Sequence, residues 1–410
     1  MLDAALADDL AGDELADGYL RPDYDGFCFA RVPATAASLV GADLGRGLPE
    51  RALDGVTADA ERVVVVFLDS LGFRQFERVH GDVSLLSSFV DEGRVTPLTS
   101  TFPSETAACV TTMHTATDPV EHGMLGWNGY DPEGDVVYET LPYAAKDGGE
   151  VSVAPGDLFD ADSVYGDLGA AGVDAHVVEP DYGPGYRDAS TAGATVHHYE
   201  RTMGFALAVR DAVRESAAPS YTYAYYPVVD SVAHREGPDG EAYDLQVAAV
   251  CDALERAFAT VDGDVSAETA VCLVADHGQV PVERRTELDE TGVLEYVPTD
   301  RSGTPLVLGG PRNVHLRVSD TEAARACLAA ADLDALVRSK ADALADDLWG
   351  FGEPGPAFER NCGDLLVVPR EGALWRASEP EELALAGMHG GLHEREALVP
   401  FGVARLGDLV

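Results

Sequence analysis

Residues 62–69, RVVVVFLD, constrain the fold more than any other stretch of the chain. A run of β-branched and large apolar residues without a polar interruption has no side to give to water, so it reads as a central parallel strand covered on both faces. Chains built on such strands wind helices over both sides of an open sheet, and their working residues collect beyond the carboxyl ends of the strands. Asp69 closes the run at that place. It is a candidate for chemistry and equally for capping a helix expected over residues 71–79.

The pattern recurs along the chain. Residues 175–179 (AHVVE) and 221–230 (YTYAYYPVVD) read as strands, the second again ending in an aspartate, and residues 269–275 (TAVCLVA) read as a third buried strand, closed by Asp276-His277-Gly278. Residues 199–215 and 243–261 carry helical patterns. His234 follows Asp230 by four residues, a spacing that brings two side chains to one face of a helical turn and supplies half of a metal site. An acid and a histidine side by side at a strand end are poor core residues, but they can converge on one ion. His389 stands between glycines in GMHGGL, where backbone can approach a ligand closely.

Between the first two of these strand ends lies a hydroxyl cluster, Thr96, Thr99, Ser100, Thr101, Ser104 and Thr106, broken by Pro97 and Pro103 and followed by a small-residue helix expected over residues 107–113. Hydroxyls just ahead of a helix face its free amides and positive end, where a phosphate oxygen is readily held. The plainer role open to Thr101 and Ser104 is helix capping.

Acidic residues outnumber basic ones 72 to 28, the net charge is −44, and the only lysines are Lys146 and Lys340. Such a surface repels nucleic-acid duplexes and anionic membranes. The acids are spread along the whole chain rather than gathered in a tail for a basic partner. That favours adaptation to molar salt, where the Debye length shrinks to about 3 Å. A hydrophobic fraction of 46% argues against disorder. The six cysteines are scattered without a CxxC pair, as expected of small buried hydrophobes. The N-terminus lacks a basic start and an apolar run, and no window is long and apolar enough to cross a bilayer, so a cytoplasmic protein without a membrane partner is expected. Near the end, residues 310–370 suggest a βααβ unit, with strands over 313–318 and 364–369 and helices over 321–331 and 333–348. This is either a small inserted cap or a late part of the main sheet.

Three strand ends thus deliver an acid each, two of them with a histidine close behind, and His389 arrives last. These nitrogen and oxygen donors suit a borderline divalent ion such as zinc, and there are too many for one tetrahedral site. Two metals are implied, of the kind that clamp the attacking and leaving oxygens of an in-line displacement about 3.5–4 Å apart.

The ordered set FLDSLGFR, TSTFPSETA, PVEHGMLGWNGYD, YYPVVDSVAHREGP, VADHG and GMHGG resembles the alkaline phosphatase superfamily, and within it the type I phosphodiesterase and nucleotide pyrophosphatase branch, as a haloarchaeal-type acidic member. The resemblance spans residues 62–393. It implies an α/β, three-layer fold with a central, mostly parallel sheet flanked by helices, plus a small α+β cap, in one catalytic domain over residues 1–410. It implies a metal-dependent hydrolase cleaving phosphodiester or pyrophosphate bonds of a small, nucleotide-like substrate. Hydrolysis of phosphonates or phosphomonoesters on the same scaffold is the alternative, and a silent, metal-stabilised binding protein a further one.

Carried over by residue, one metal would be held by Asp230, His234 and His389 and a second by Asp69, Asp276 and His277. Zinc is the expected ion, with manganese or another divalent ion as substitute. Thr101 would bridge to the second metal as nucleophile and pass through a phospho-threonine. The sequence departs from the branch in two places. Trp127 stands where an asparagine is usual five residues after His122, so either its neighbour Asn128, from a shifted turn, or another donor would stabilise the phosphoryl oxygen. The stretch from Pro103 to His122 is longer than in the animal-type enzymes, which makes Ser104 and Thr106 substitutes for Thr101. His393 competes with His389, His122 is expected to buttress its turn, and His197 and His198 to lie on the surface. Tyr130, Tyr138 and Tyr226 are open to base stacking or to the core.

Overall fold

In the computed structural model, which describes residues 1–56, 60–183, 185–331, 333–376, 379 and 384–410, the run Arg62–Leu68 (β1) is the middle strand of a seven-stranded sheet. Its companions are Arg94–Thr99 (β2), Asp174–Pro180 (β3), Thr195–Tyr199 (β4), Ser220–Tyr226 (β5), Thr269–Val274 (β6) and Leu398–Arg405 (β7), in the order β2-β7-β6-β1-β5-β3-β4. All neighbours are parallel except β7, which runs against both β6 and β2. Arg62 lies opposite both Ser220 and Thr269, so β1, β5 and β6 end level with one another. That register brings their carboxyl ends to a single edge.

The unbroken apolar run of β1 is explained by what covers it. Val63, Val65 and Phe67 belong to one core, and Val64, Val66 and Leu68 to another on the opposite face. Full burial of such a side chain stabilises by about 1.5–3 kcal/mol, and a polar residue at any of these positions would forfeit that. The first core packs Cys109 and Met113 of helix α1 (Thr106–Thr115), whose small residues let it lie close to the sheet. The second receives the helices Thr202–Glu215 and Glu241–Phe258. The result is three layers, with helices on both sides of a mostly parallel sheet.

Two local expectations need correction. The strand expected over residues 221–230 stops at Tyr226, because Pro227 has no amide to give the ladder, and Asp230 falls in the first turn of a helix, Val228–Glu236. The helix expected from residue 199 starts at Thr202, since Tyr199 is the last residue of β4.

More of the chain joins the region expected over residues 310–370 than its βααβ pattern implies. A second seven-stranded sheet combines Val307–Gly310, Asn313–Leu316, Ala335–Ser339 and Leu365–Pro369 with three strands from an earlier segment, Asn128–Asp131, Val136–Glu139 and Ala144–Ala145. The two segments join where Asn128 pairs with Gly309. The second helix expected over 333–348 is instead a strand followed by a short helix, Lys340–Ala345. Pairing of Ala335–Ser339 with Leu365–Pro369 satisfies its backbone, and the Ser339 side chain caps the helix after it. A buried ion pair joins a hairpin turn of the second sheet to the short helix Glu394–Ala397 ahead of β7: Arg312 donates from Nε and Nη2 to the two oxygens of Glu396, each at 2.6 Å. Among the described residues no helix is long and apolar enough to cross a membrane.

Candidate active site

The level ends of β1, β5 and β6 bring six of the expected residues together. Asp69 follows β1, Asp276 and His277 follow β6, Asp230 and His234 sit on successive turns of Val228–Glu236, and His389 comes from the glycine-rich loop ahead of β7. His277 Nε2 is 3.4 Å from Asp69 Oδ1 and 3.2 Å from Asp276 Oδ2. Asp230 is 3.3 Å from His234 Nε2 and 3.7 Å from His389 Nε2. The rings of His277 and His389 are stacked with centroids 3.5 Å apart. Asp230, His277 and His389 form one group whose ligand atoms all lie within 4.8 Å of one another, and Asp69, Asp276 and His277 form a second.

The two groups share His277, and the hydrogen bonds around the cluster fit divalent-ion binding by these residues together with His234. Nδ1 of His234 faces the Gly387 carbonyl at 2.8 Å, that of His277 the Gly278 carbonyl at 3.0 Å, and that of His389 the Ser104 carbonyl at 3.1 Å. A carbonyl only accepts, so each Nδ1 carries a proton and each Nε2 is the nitrogen turned to the centre, as in metal sites with an ordered outer shell. The carboxylates are held in the same manner. Tyr225 donates to Asp69 Oδ2 at 2.5 Å, and Ser70 and His277 donate backbone N–H groups to Asp276 Oδ1. Their other oxygens, Asp69 Oδ1 and Asp276 Oδ2, are buried without a hydrogen-bond partner.

The electrostatics point the same way. Burial first, then Asp276 and Asp230, push the Asp69 carboxyl well above its usual range. Burial would raise Asp230 too, but the neighbouring His234, His389 and His277 outweigh it and hold it low. Burial, and next the charge of His277, drive His389 well down. Three acids and three imidazoles in one dry place constitute a strained set of charges, and cations relieve it.

The hydroxyl that joins this cluster belongs to Thr106. It is the first residue of α1, and its Oγ1 is 3.2 Å from His277 Nε2. Thr101 is elsewhere. Its Oγ1 donates to the Pro103 carbonyl at 3.1 Å and lies 3.2 Å from Cys109 Sγ, in the interior. The physical reason is that residues 100–105 intervene between the end of β2 and the helix, so the position at the free amides falls to Thr106. Ser104 is also turned away and donates to the Gly391 carbonyl at 2.7 Å.

Asn128 does not face the centre: its Nδ2 donates to the Gly309 carbonyl at 3.2 Å, inside the second sheet. Trp127 lines the cavity instead. His122 buttresses its turn as expected, with Nε2 3.0 Å from Thr112 Oγ1 and Nδ1 accepting from Met124 N. His393 caps a short helix through Nδ1, which accepts from Arg395 N. His198 is exposed, and His197 lies against His176 at the far edge of the sheet.

A cavity of about 360 Å³ opens beside the cluster, walled by Trp127, Tyr182, Tyr186, Tyr223 and Tyr225, with Thr106 and Asp69 also in its lining. None of Tyr130, Tyr138 and Tyr226 is among its lining residues. Tyr138 and Tyr226 are core residues, while Tyr130 carries the Arg317 guanidinium 5.3 Å over its ring. The alternation YTYAYY held the missing signal: its second and third odd tyrosines, Tyr223 and Tyr225, share the face that meets α1.

The type I phosphodiesterase/nucleotide pyrophosphatase family matches the chain over residues 63–392. The chain belongs to this family. It is therefore a hydrolase of phosphoesters, from a divalent-metal-dependent group. Its fold is similar to that of murine ectonucleotide pyrophosphatase/phosphodiesterase 5, an inactive variant of which was solved with AMP, at a TM-score of 0.62 and 14% identity over 84% of this chain and 87% of that one. The human counterpart matches at 0.62 and 13%, with the same coverage. Phosphonoacetate hydrolase from Sinorhizobium meliloti, solved with phosphonoacetate, is similar at 0.57 and 18% over 84% of this chain and 89% of that one. No curated protein matches the chain.

Proposed function

We propose that this family member hydrolyses phosphate diesters of small organic alcohols, nucleotide-like ones included, through an ester formed on Thr106. The observation that carries the reading is the Thr106 hydroxyl, held at the start of α1 and 3.2 Å from His277 Nε2. Asp230, His234 and His389 would hold one divalent ion and Asp69, Asp276 and His277 a second, with zinc the best match to these donors. When bound, such ions supply the positive charge that lowers the pKa of a hydroxyl and neutralises the phosphoryl oxygens.

The chain's own part is positioning. Thr106 Oγ1 attacks phosphorus, the alkoxide opposite it departs, and water later cleaves the threonine ester to release the monoester. The first-turn amides of α1 have no intrahelical partner and point at the phosphoryl oxygens. They would be the other donor to which the resemblance left the stabilising role, in place of Asn128. Monoesters and phosphonates are disfavoured, because a dianion needs further cationic contacts. Among the described residues lining the cavity the one cation is Arg187, and Glu179 already pairs with it.

We further propose one catalytic domain that carries the second sheet as its cap, a reading supported by the buried Arg312–Glu396 pair between them. The composition supports a cytoplasm of molar salt as its working place. The test of function is turnover by the zinc-loaded chain in high salt. Bis-p-nitrophenyl phosphate is expected to exceed p-nitrophenyl phosphate in kcat/KM by about tenfold or more, and a reversed preference would favour the monoester reading.

A further inference from the structure

Each of the three carboxylates at the centre is held by a donor from another strand end, and these donors close into a ring. Tyr225 of β5 donates to Asp69, which follows β1, and the Ser70 amide beside Asp69 donates to Asp276, which follows β6. The ring returns to the β5 side through Gln279, whose Nε2 donates to Asp230 Oδ1 at 2.7 Å and lies 3.5 Å from the Asp230 carbonyl. Both of these partners accept, so the nitrogen is the end of the amide turned to Asp230.

This third link differs from the other two. β5 and β1 are neighbours, as are β1 and β6, but β5 and β6 stand on opposite sides of β1. Their ends are about 10 Å apart, a gap too wide for a backbone hydrogen bond and within reach of a glutamine side chain. Gln279 is fully buried, and its carbonyl accepts from Nε2 of Gln75 at 3.1 Å, in the helix Phe73–Val79 that follows Asp69. A second buried amide thus fixes the root of the first. Gln279 Oε1 has no hydrogen-bond partner. It lies against Gly387, where a Cβ would collide with it, and the Gly387 carbonyl is the one that faces His234 Nδ1. A buried acceptor without a donor is costly to keep. Packing alone would therefore favour an apolar side chain here, and the hydrogen bond to Asp230 is what the glutamine adds.

We infer that Gln279 is a positioning residue of the first ion group: it sets the rotation of the Asp230 carboxylate toward His234 and His389. This rests on the two-ion reading. With Oδ1 engaged by the amide, Oδ2 stands 3.3 Å from His234 Nε2 while Oδ1 stays 3.7 Å from His389 Nε2. The Asp230 side chain is 15% exposed, against 2% for Asp69 and none for Asp276. It is the carboxylate with room to turn to water, and Gln279 holds it inward. Outer donors of this kind govern how tightly a ligand set holds its ion.

The test is the zinc affinity of the full chain in high salt, read by competition with a chromophoric chelator. Gln279→Met keeps the length and removes the donor. In an Asp69→Asn background, which retains the first-group ion, it is expected to raise the zinc dissociation constant by about 10–100-fold. In a His234→Ala background, which retains the second-group ion, the same substitution should move it by about threefold or less. Gln279→Asn keeps an amide but falls one methylene short, and should weaken the first-group ion by about tenfold or more. The melting temperature of the zinc-free chain should be unchanged or raised in Gln279→Met, because the unpaired acceptor leaves with the amide. An unmoved first-group ion in either variant, or equal weakening of both ions with a lowered zinc-free melt, would overturn the inference. Failure of the unmodified chain to hold zinc would strike the two-ion reading itself and take the role of Gln279 down with it.

Discussion

Thr106 Oγ1 lies 3.2 Å from His277 Nε2, whereas Thr101, five residues earlier, spends its hydroxyl on the Pro103 carbonyl. The two threonines should therefore respond oppositely to the same change. Thr106→Ala is expected to lower kcat/KM by about a thousandfold or more. Thr101→Ala should keep activity within about threefold and lose about 1 kcal/mol of stability with its hydrogen bond. Steady-state kinetics beside denaturant melts of the two variants check this.

What the sequence disclosed here follows from the kind of signal each residue leaves. Strand ends are legible because a buried parallel strand is a continuous apolar run, and Asp69 and Asp276 stand directly after such runs. The six acids and histidines that the structure brings together are likewise legible from their order. The choice among Thr101, Ser104 and Thr106 is not, because it depends on where β2 ends and α1 begins, and a boundary shift of a few residues lies beyond what local pattern specifies. The second sheet extends beyond the expected βααβ unit for a related reason. Its strands come from two distant segments, and the pairing of Asn128 with Gly309 leaves no mark in either segment alone.

Dialysis against a chelator should remove both activity and stability. Each site held at a hundredfold over its dissociation constant contributes about 2.7 kcal/mol, so re-addition of zinc should raise the melting temperature. Elemental analysis of the reloaded chain should find about two ions, and about one in Asp69→Asn. Loss of neither activity nor stability on chelation would contradict the cluster's assignment.

The Arg312–Glu396 pair is fully buried, and a single substitution leaves the survivor's charge without its partner. Glu396→Gln should cost about 3–5 kcal/mol, seen as a shifted denaturation midpoint with no change in zinc content.

Burial holds His114, His122 and His315 down to about 3, so all three are neutral in the folded protein near neutral pH. Their unfolded value is about 6.5. Above that pH neither state is protonated and they contribute no slope. As the pH falls below it, the unfolded chain takes up protons that the folded one refuses, and stability is lost. Each group adds up to about 1.4 kcal/mol per pH unit. His315→Gln should reduce the slope between pH 6 and 5 by just under one proton's share, as read from denaturation midpoints at several pH values.

A chain of net charge −44 repels itself at low ionic strength. Its melting temperature should rise steadily as potassium chloride increases from about 0.1 to 2 M, where screening shortens the Debye length to a few Å. A flat or falling response would contradict the salt-adapted reading.

The central claim is that the start of α1 delivers the attacking oxygen into a two-ion centre. Acid quenching of the zinc-loaded enzyme during turnover of a diester, followed by mass spectrometry of its peptides, tests it directly. The phosphoryl ester is expected on Thr106. Its appearance on Thr101 or Ser104, or turnover without any protein-bound phosphorus, would contradict the account.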